Sequence, residues 1–127
     1  ANVKVGIGTD VGAGTSLSML QTIGDAYKTQ RLAGNDLSPL RGLYMATLGG
    51  AKSLDCDADI GNFKIGKEAD FTVLDPESTP LMSYRMQNCK SLEEMLAVIV
   101  LLGDDRAISA TYARGHCVHD RDIDEES

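Results

Sequence analysis

The opening sixteen residues constrain the fold of this chain more than any other segment. Apolar residues alternate along Val3-Lys4-Val5-Gly6-Ile7, which predicts a β-strand, and Gly8-Thr9-Asp10 follows at its carboxyl end. A glycine-rich turn over residues 8–16 then leads into apolar residues at helical spacing. This order of strand, turn and helix is that of parallel α/β barrels, and it predicts an α/β chain.

The predicted first strand also bears on the extent of the protein. It is apolar, and neither an initiator methionine nor another element precedes it. A strand of this kind normally has neighbours on both edges, because unpaired N–H and C=O groups are unfavourable there. We therefore expect the chain to be a piece of a larger protein.

Three helices are predicted from apolar periodicity and capping residues. They cover residues 17–31, 39–54 and 92–102, with Ser16, Ser38 and Ser91 as their N-caps. Within the second helix, Gly49-Gly50 is a weak point and suggests close packing of a neighbouring backbone.

Strand periodicity is found in the second half of the chain. Residues 69–73 alternate before Asp75-Pro76, and residues 108–112 and 117–118 are predicted as two strands around a turn at Arg114-Gly115. The acidic segment 120–127 is predicted to be a disordered tail.

Charge, hydropathy and cysteine content disfavour several classes of function. The net charge is −7 and no basic patch is present, so nucleic acid is not expected as a partner. The longest apolar run, residues 95–102, is too short to span a membrane. Cys56, Cys89 and Cys117 are odd in number and widely spaced, which indicates reduced thiols in a cytosolic protein.

Two glycine-rich or acidic patterns resemble ligand-binding loops but fail on spacing. Gly8, Gly12 and Gly14 do not form a dinucleotide fingerprint, because Leu17 takes the last glycine position, so a tight turn is the better interpretation. Asp55, Asp57 and Asp59 begin like a calcium loop. The sixth and twelfth positions are Ile60 and Gly66 instead of glycine and glutamate, which favours a solvated loop.

His116 and His119 also suggest a metal site. Residues three apart on a strand point to opposite faces, so the two imidazoles would not bind one ion. We expect both to be surface residues.

Asp10 is the residue that we expect to carry chemistry. A carboxylate at the end of an apolar strand, before a βα turn, lies where α/β barrels place catalytic groups. It can bind a metal and exchange protons with water. The alternative is that Asp10 only stabilises the turn, as aspartate often does.

A family resemblance strengthens the catalytic interpretation. The segments that carry it are Val5-Gly6-Ile7-Gly8-Thr9-Asp10-Val11-Gly12-Ala13-Gly14, Met45-Ala46-Thr47-Leu48-Gly49-Gly50-Ala51, Ile60-Gly61-Asn62-Phe63, Gly66-Lys67-Glu68-Ala69-Asp70-Phe71, and Leu102-Gly103-Asp104-Asp105-Arg106 with Thr111-Tyr112. From about Val3 to Val118 the chain resembles guanine deaminases of the metal-dependent amidohydrolase superfamily. The fourth segment alone indicates only an amidohydrolase, whereas the last one favours guanine deaminases.

The resemblance implies a fold and a division into regions. Residues 1–55 would be the C-terminal part of an amidohydrolase (β/α)8 barrel, and residues 56–119 would be strands of the small β-sandwich domain with one helix. Residues 120–127 would be the tail. Asp104, Asp105 and Arg106 follow a helix C-terminus, which prefers positive charge, so we expect one of the two carboxylates and Arg106 to connect this turn to the barrel or to a second subunit. The alternative is a solvated surface turn.

The resemblance also implies an activity. Guanine would be hydrolysed to xanthine and ammonia in a cytoplasmic homodimer, with one zinc ion, and Asp10 would be both metal ligand and proton acceptor. The other ligands and the substrate-binding residues are expected before this segment, so the chain alone should be inactive. Two alternatives stay open: a related aminohydrolase that acts on another purine or a triazine, and a non-catalytic interaction domain.

Overall fold

Helices dominate the first half of the molecule, and a small antiparallel sheet forms in the second half. The computed structural model describes residues 3–124. The elements within this range are α1 (Met19–Leu32), α2 (Pro39–Ala46), α3 (Leu48–Ser53), β1 (Phe71–Leu74), α4 (Pro80–Met86), α5 (Leu92–Leu102), a 3-10 turn (Asp105–Ala107), β2 (Ile108–Ala113), β3 (His116–Asp120) and α6 (Arg121–Asp124). The prediction of a mixed α/β chain is confirmed at this level.

Hydroxyl side chains cap the helices. Ser38 and Ser91 accept hydrogen bonds from backbone N–H groups three residues on, as predicted. For α1 the predicted cap is wrong: Ser18 caps the helix, and the Ser16 hydroxyl accepts from the Ser18 N–H instead. Thr79 caps α4, a helix that the sequence analysis missed although Thr79-Pro80 carries the same start signal as Ser38-Pro39.

The predicted second helix is divided into two. It ends at Ala46, Thr47 leaves the helical region with φ −124° and ψ −106°, and α3 begins at Leu48. The Thr47 hydroxyl donates to the Leu43 carbonyl at 2.7 Å, a bond back to the preceding turn that favours bending. The break therefore precedes the predicted weak point at Gly49-Gly50.

The sheet has the order β1-β2-β3, and both pairs are antiparallel. The β2–β3 turn has positive φ at both central residues, 51° at Arg114 and 77° at Gly115, which matches the twist of a two-residue hairpin. This hairpin was predicted correctly. The strand predicted over residues 3–7 is not formed: these residues have no strand partner within residues 3–124. Without a neighbouring strand, their N–H and C=O groups have no ladder to join.

The core lies between α5 and the elements around it. Leu20, Met82, Val98, Ile99 and Ala107 form one buried cluster, and Met82 and Ala107 are completely inaccessible to solvent. Helix α5 is apolar nearly all round, as expected of a helix with neighbours on several sides. Among the helices within the described range, none combines the length and the apolar character needed to cross a bilayer.

The predicted disordered tail begins with regular structure. Asp120 is the last residue of β3, and α6 follows directly. The Arg121 guanidinium donates to the Asp75 carboxylate at 3.3 Å and to the Arg106 carbonyl at 2.8 Å, which connects this end to two loops. The prediction of disorder is therefore wrong for residues 120–124, and its remaining part, residues 125–127, lies outside the described residues.

Candidate functional site

Asp10 lies at the start of a tight glycine-rich turn. Its φ is 49°, a left-handed conformation that few residues other than glycine adopt. Its carbonyl accepts from the N–H groups of Ala13 at 3.0 Å and Gly14 at 2.6 Å. A Cβ atom at Gly14 would overlap the Thr9 carbonyl, so the turn can close this tightly only with glycine there. The sequence prediction of a turn at this place is confirmed.

Both ends of this turn are anchored to helices. Upstream, the Ile7 N–H donates to the Met45 carbonyl at 3.1 Å. Downstream, the Thr15 hydroxyl donates to the Asp25 carboxylate on α1 at 2.6 Å. This bond, together with the neighbouring Lys28, lowers the pKa of Asp25 below its ordinary value. The backbone around Asp10 is thus fixed from two sides.

The segment before Asp10 lies against α3. A Cβ atom at Gly6 would come within 3.0 Å of the Gly50 Cα atom, so the two backbones are in close contact. This confirms the close backbone packing predicted for Gly49-Gly50. The Lys4 ammonium also binds the Asp55 carboxylate at 2.5 Å, which raises the pKa of Lys4 and lowers that of Asp55. Both side chains are largely exposed, so we assign the pair no stabilising role.

The Asp10 side chain is exposed, and its carboxylate has no hydrogen-bond or ion-pair partner within residues 3–124. A carboxylate with both oxygens available suits a divalent cation as one oxygen ligand. No group of three or more histidine, cysteine, aspartate or glutamate residues that could hold a metal occurs in this part of the chain. Asp10 therefore fits a metal as a single ligand, and a complete site would need further ligands.

The acidic loop that resembles a calcium loop is closed by a lysine. The Lys67 ammonium donates to the carbonyl of Asp57 and, at 3.0 Å, to that of Ile60. The Glu68 N–H donates to the Asp59 carbonyl at 2.9 Å and joins the two ends of the loop. The sequence analysis did not identify Lys67. Its only signal was a cation placed directly after the Gly66 turn.

His116 and His119 lie on β3, where they pair with Ala113 and Thr111 of β2. His116 is exposed, as predicted, whereas His119 is half-buried. The three cysteines are free thiols, with Cys117 exposed and the other two half-buried.

The side chains of Asp104 and Arg106 pair with each other within one turn. The Asp104 carboxylate accepts three hydrogen bonds from the Arg106 side chain, at 3.0, 3.2 and 2.7 Å, and one from the Arg106 backbone N–H. The paired guanidinium lowers the pKa of Asp104 below its ordinary value. The expected connection to the barrel is therefore wrong within residues 3–124, because each side chain satisfies the other in one 3-10 turn. A contact with a second subunit stays a prediction.

The chain matches the model of the amidohydrolase family over residues 1–118. It is 55% identical to guanine deaminase of Escherichia coli strain K12 over 119 residues, which cover 94% of this chain and 27% of that protein. The chain thus spans about a quarter of the length of the curated relatives that it matches.

The comparison with solved structures also finds guanine deaminases. A guanine deaminase of Escherichia coli superposes with a TM-score of 0.91 over 94% of this chain and 28% of that one, at 55% identity. A guanine deaminase from C. acetobutylicum with guanine bound in its active site has a TM-score of 0.69 at 26% identity, over 91% of this chain and 27% of its own.

Proposed function

This chain belongs to the amidohydrolase family, and from that membership we propose that it is the C-terminal part of a guanine deaminase. The full protein would hydrolyse guanine to xanthine and ammonia. The observation that carries the proposal is the similarity to guanine deaminases along nearly the whole chain, and the conformation of Asp10, an exposed carboxylate in a left-handed turn anchored on both sides, supports Asp10 as its site residue. Left-handed backbone at a residue other than glycine is often associated with function.

Within that proposal, Asp10 is one ligand of a zinc ion whose other ligands come from the rest of the protein. Zinc at such a site lowers the pKa of water so that it can lose a proton near neutral pH. Asp10 would accept that proton and later help to deliver one toward the leaving amine, which departs poorly unless protonated. Because the Asp10 side chain is exposed, both of its carboxylate oxygens are available for binding the metal and for accepting the proton.

The same proposal assigns the regions of the chain. Residues 1–55 would complete a (β/α)8 barrel, and residues 56–119 would contribute strands to a small β-sandwich domain. The segment 3–7, which has no ladder partner here, would become a barrel strand between strands of the preceding sequence, with Ile7 at its carboxyl end keeping its hydrogen bond to Met45. We further propose a cytoplasmic homodimer with guanine as its substrate. The guanine bound to the C. acetobutylicum protein supports this choice of substrate.

The test is Asp10→Asn in the full-length protein. The amide keeps the shape of the side chain but removes its charge and its basicity, so kcat should fall at least about 10²-fold. Zinc content is measured by elemental analysis, and turnover is measured as ammonia released from guanine. Asp36→Asn is the control, because Asp36 is exposed beyond α1 and its carboxylate lies 3.7 Å from the Arg31 guanidinium, away from the Asp10 turn. Near-normal kcat in Asp10→Asn with zinc bound would contradict the assignment.

A further inference from the structure

We propose that the break between α2 and α3 positions Asp10. The carbonyl released by the break anchors the segment that carries Asp10, and the Gly6–Gly50 contact sets the distance of that segment from α3. Gly6 and Gly50 are thereby positioning residues. The inference rests on the proposed role of Asp10 as a metal ligand.

The break provides the anchor by freeing a backbone acceptor. In a continuous α-helix, the carbonyl of Met45 would accept from the N–H of Gly49, four residues on. Because α2 ends at Ala46 and Thr47 is not helical, this carbonyl accepts from the Ile7 N–H instead, at 3.1 Å. It is a backbone hydrogen bond from residues 3–9 to a helix, and it lies three residues before Asp10.

The contact between Gly6 and α3 sets the spacing. A Cβ atom at Gly6 would lie 2.8 Å from the Ser53 hydroxyl oxygen and 3.0 Å from the Gly50 Cα atom. A Cβ atom at Gly50 would lie 3.0 Å from the Met45 carbonyl oxygen, the acceptor of the anchoring bond. A methyl group at Gly6 would therefore require the Ser53 hydroxyl to turn away and the Gly50 backbone to shift by a few tenths of an ångström, and a methyl group at Gly50 would press on the Met45 carbonyl to a similar extent. Side chains that orient a metal ligand typically contribute 10- to 100-fold to metal affinity.

The experiment measures the zinc affinity of the full-length protein, by competition with a chelator, for the parent and for Gly6→Ala. We expect the variant to bind zinc at least about tenfold more weakly. The double variant Gly6→Ala/Ser53→Ala should recover part of the loss, because it removes the closer of the two contacts. If Gly6→Ala does not fold, Gly50→Ala takes its place, since it acts on the same carbonyl.

A matched control separates positioning from general destabilisation. Gly115 lies in the β2–β3 hairpin with a φ of 77°, where a side chain is strained, and it does not contact the Asp10 segment or its two anchors. Gly115→Ala should lower Tm without changing zinc affinity. If Gly6→Ala and Gly50→Ala bind zinc like the parent, or only as much more weakly as Gly115→Ala, the inference is overturned. Asp10→Asn tests the premise separately, because unchanged zinc affinity there would contradict the proposed function itself.

Discussion

Two regions of the molecule differ in how far their backbone N–H and C=O groups are paired and their apolar side chains are buried. In residues 71–120, each strand has a partner strand, α5 is surrounded by other helices, and the core residues Met82 and Ala107 are fully buried. In residues 3–10, no ladder forms and the apolar side chains of Val3 and Val5 are 78% and 54% exposed. The second region nevertheless carries the candidate metal ligand. Structure thus forms where the partner strands and helices lie within residues 3–124, whereas the proposed site would take its further ligands from the rest of the protein.

The largest expected effect concerns the second region. The isolated chain should bind no stoichiometric zinc and release no ammonia from guanine, because Asp10 is a single ligand and no metal-binding cluster occurs within residues 3–124. Elemental analysis after dialysis and an ammonia assay check this, with the full-length protein as the positive control. One zinc per isolated chain, or measurable turnover, would remove the contrast between the two regions.

The next effect concerns the stability of the first region. Met82→Ala in the isolated chain should lower the free energy of unfolding by about 2 to 5 kcal/mol, because it leaves a cavity beside Val98 and Ile99. Urea unfolding measures the change. Leu81→Ala is the matched control on the same helix, since Leu81 is 56% exposed and should cost much less. Equal losses in the two variants would show that this core does not hold the region together.

The smallest effect is a pH dependence in the turn between the core helix and the sheet. Because Arg106 lowers the pKa of Asp104 from its ordinary value of 3.8, the pair stabilises the folded state above that value. The contribution is lost as the pH falls through the folded-state pKa of Asp104.

Arg106→Gln should therefore lower Tm slightly at neutral pH, and the difference from the parent should shrink as the pH falls below 3.8. Thermal melts from neutral pH to below that value measure it. Arg41→Gln controls for the loss of an arginine as such. The Arg41 guanidinium lies over the Tyr44 ring, 5.2 Å from the centroid, so the effect of removing it should not follow the titration of Asp104. A difference that stays constant with pH would exclude this pair as its source.

The sequence predicted features that depend on neighbouring residues. Helix α5 begins after Ser91 and ends before Gly103 as predicted, because cap, apolar period and stop lie within one short segment. The Arg114-Gly115 hairpin and the glycine turn after Asp10 follow from local turn chemistry in the same way.

Features that depend on distant residues were not predicted. The break at Thr47 leaves the Met45 carbonyl free to accept from the Ile7 N–H, and Ile7 lies about forty residues earlier in the chain. Order at residues 120–124 depends on the contact of Arg121 with Asp75. At the site, the sequence identified Asp10 and its turn, but not the contacts at Gly6 and Met45 that hold the segment in place.

Lys67 has a consequence for how the loop of residues 57–60 responds to its surroundings. Its ammonium group binds the carbonyl oxygens of Asp57 and Ile60, as a bound cation would. Because this cation is part of the chain, its local concentration at the loop does not change with dilution. A free cation would have to compete with a group that cannot diffuse away. The conformation of this loop should therefore be the same with calcium, with a chelator, or in water of low ionic strength.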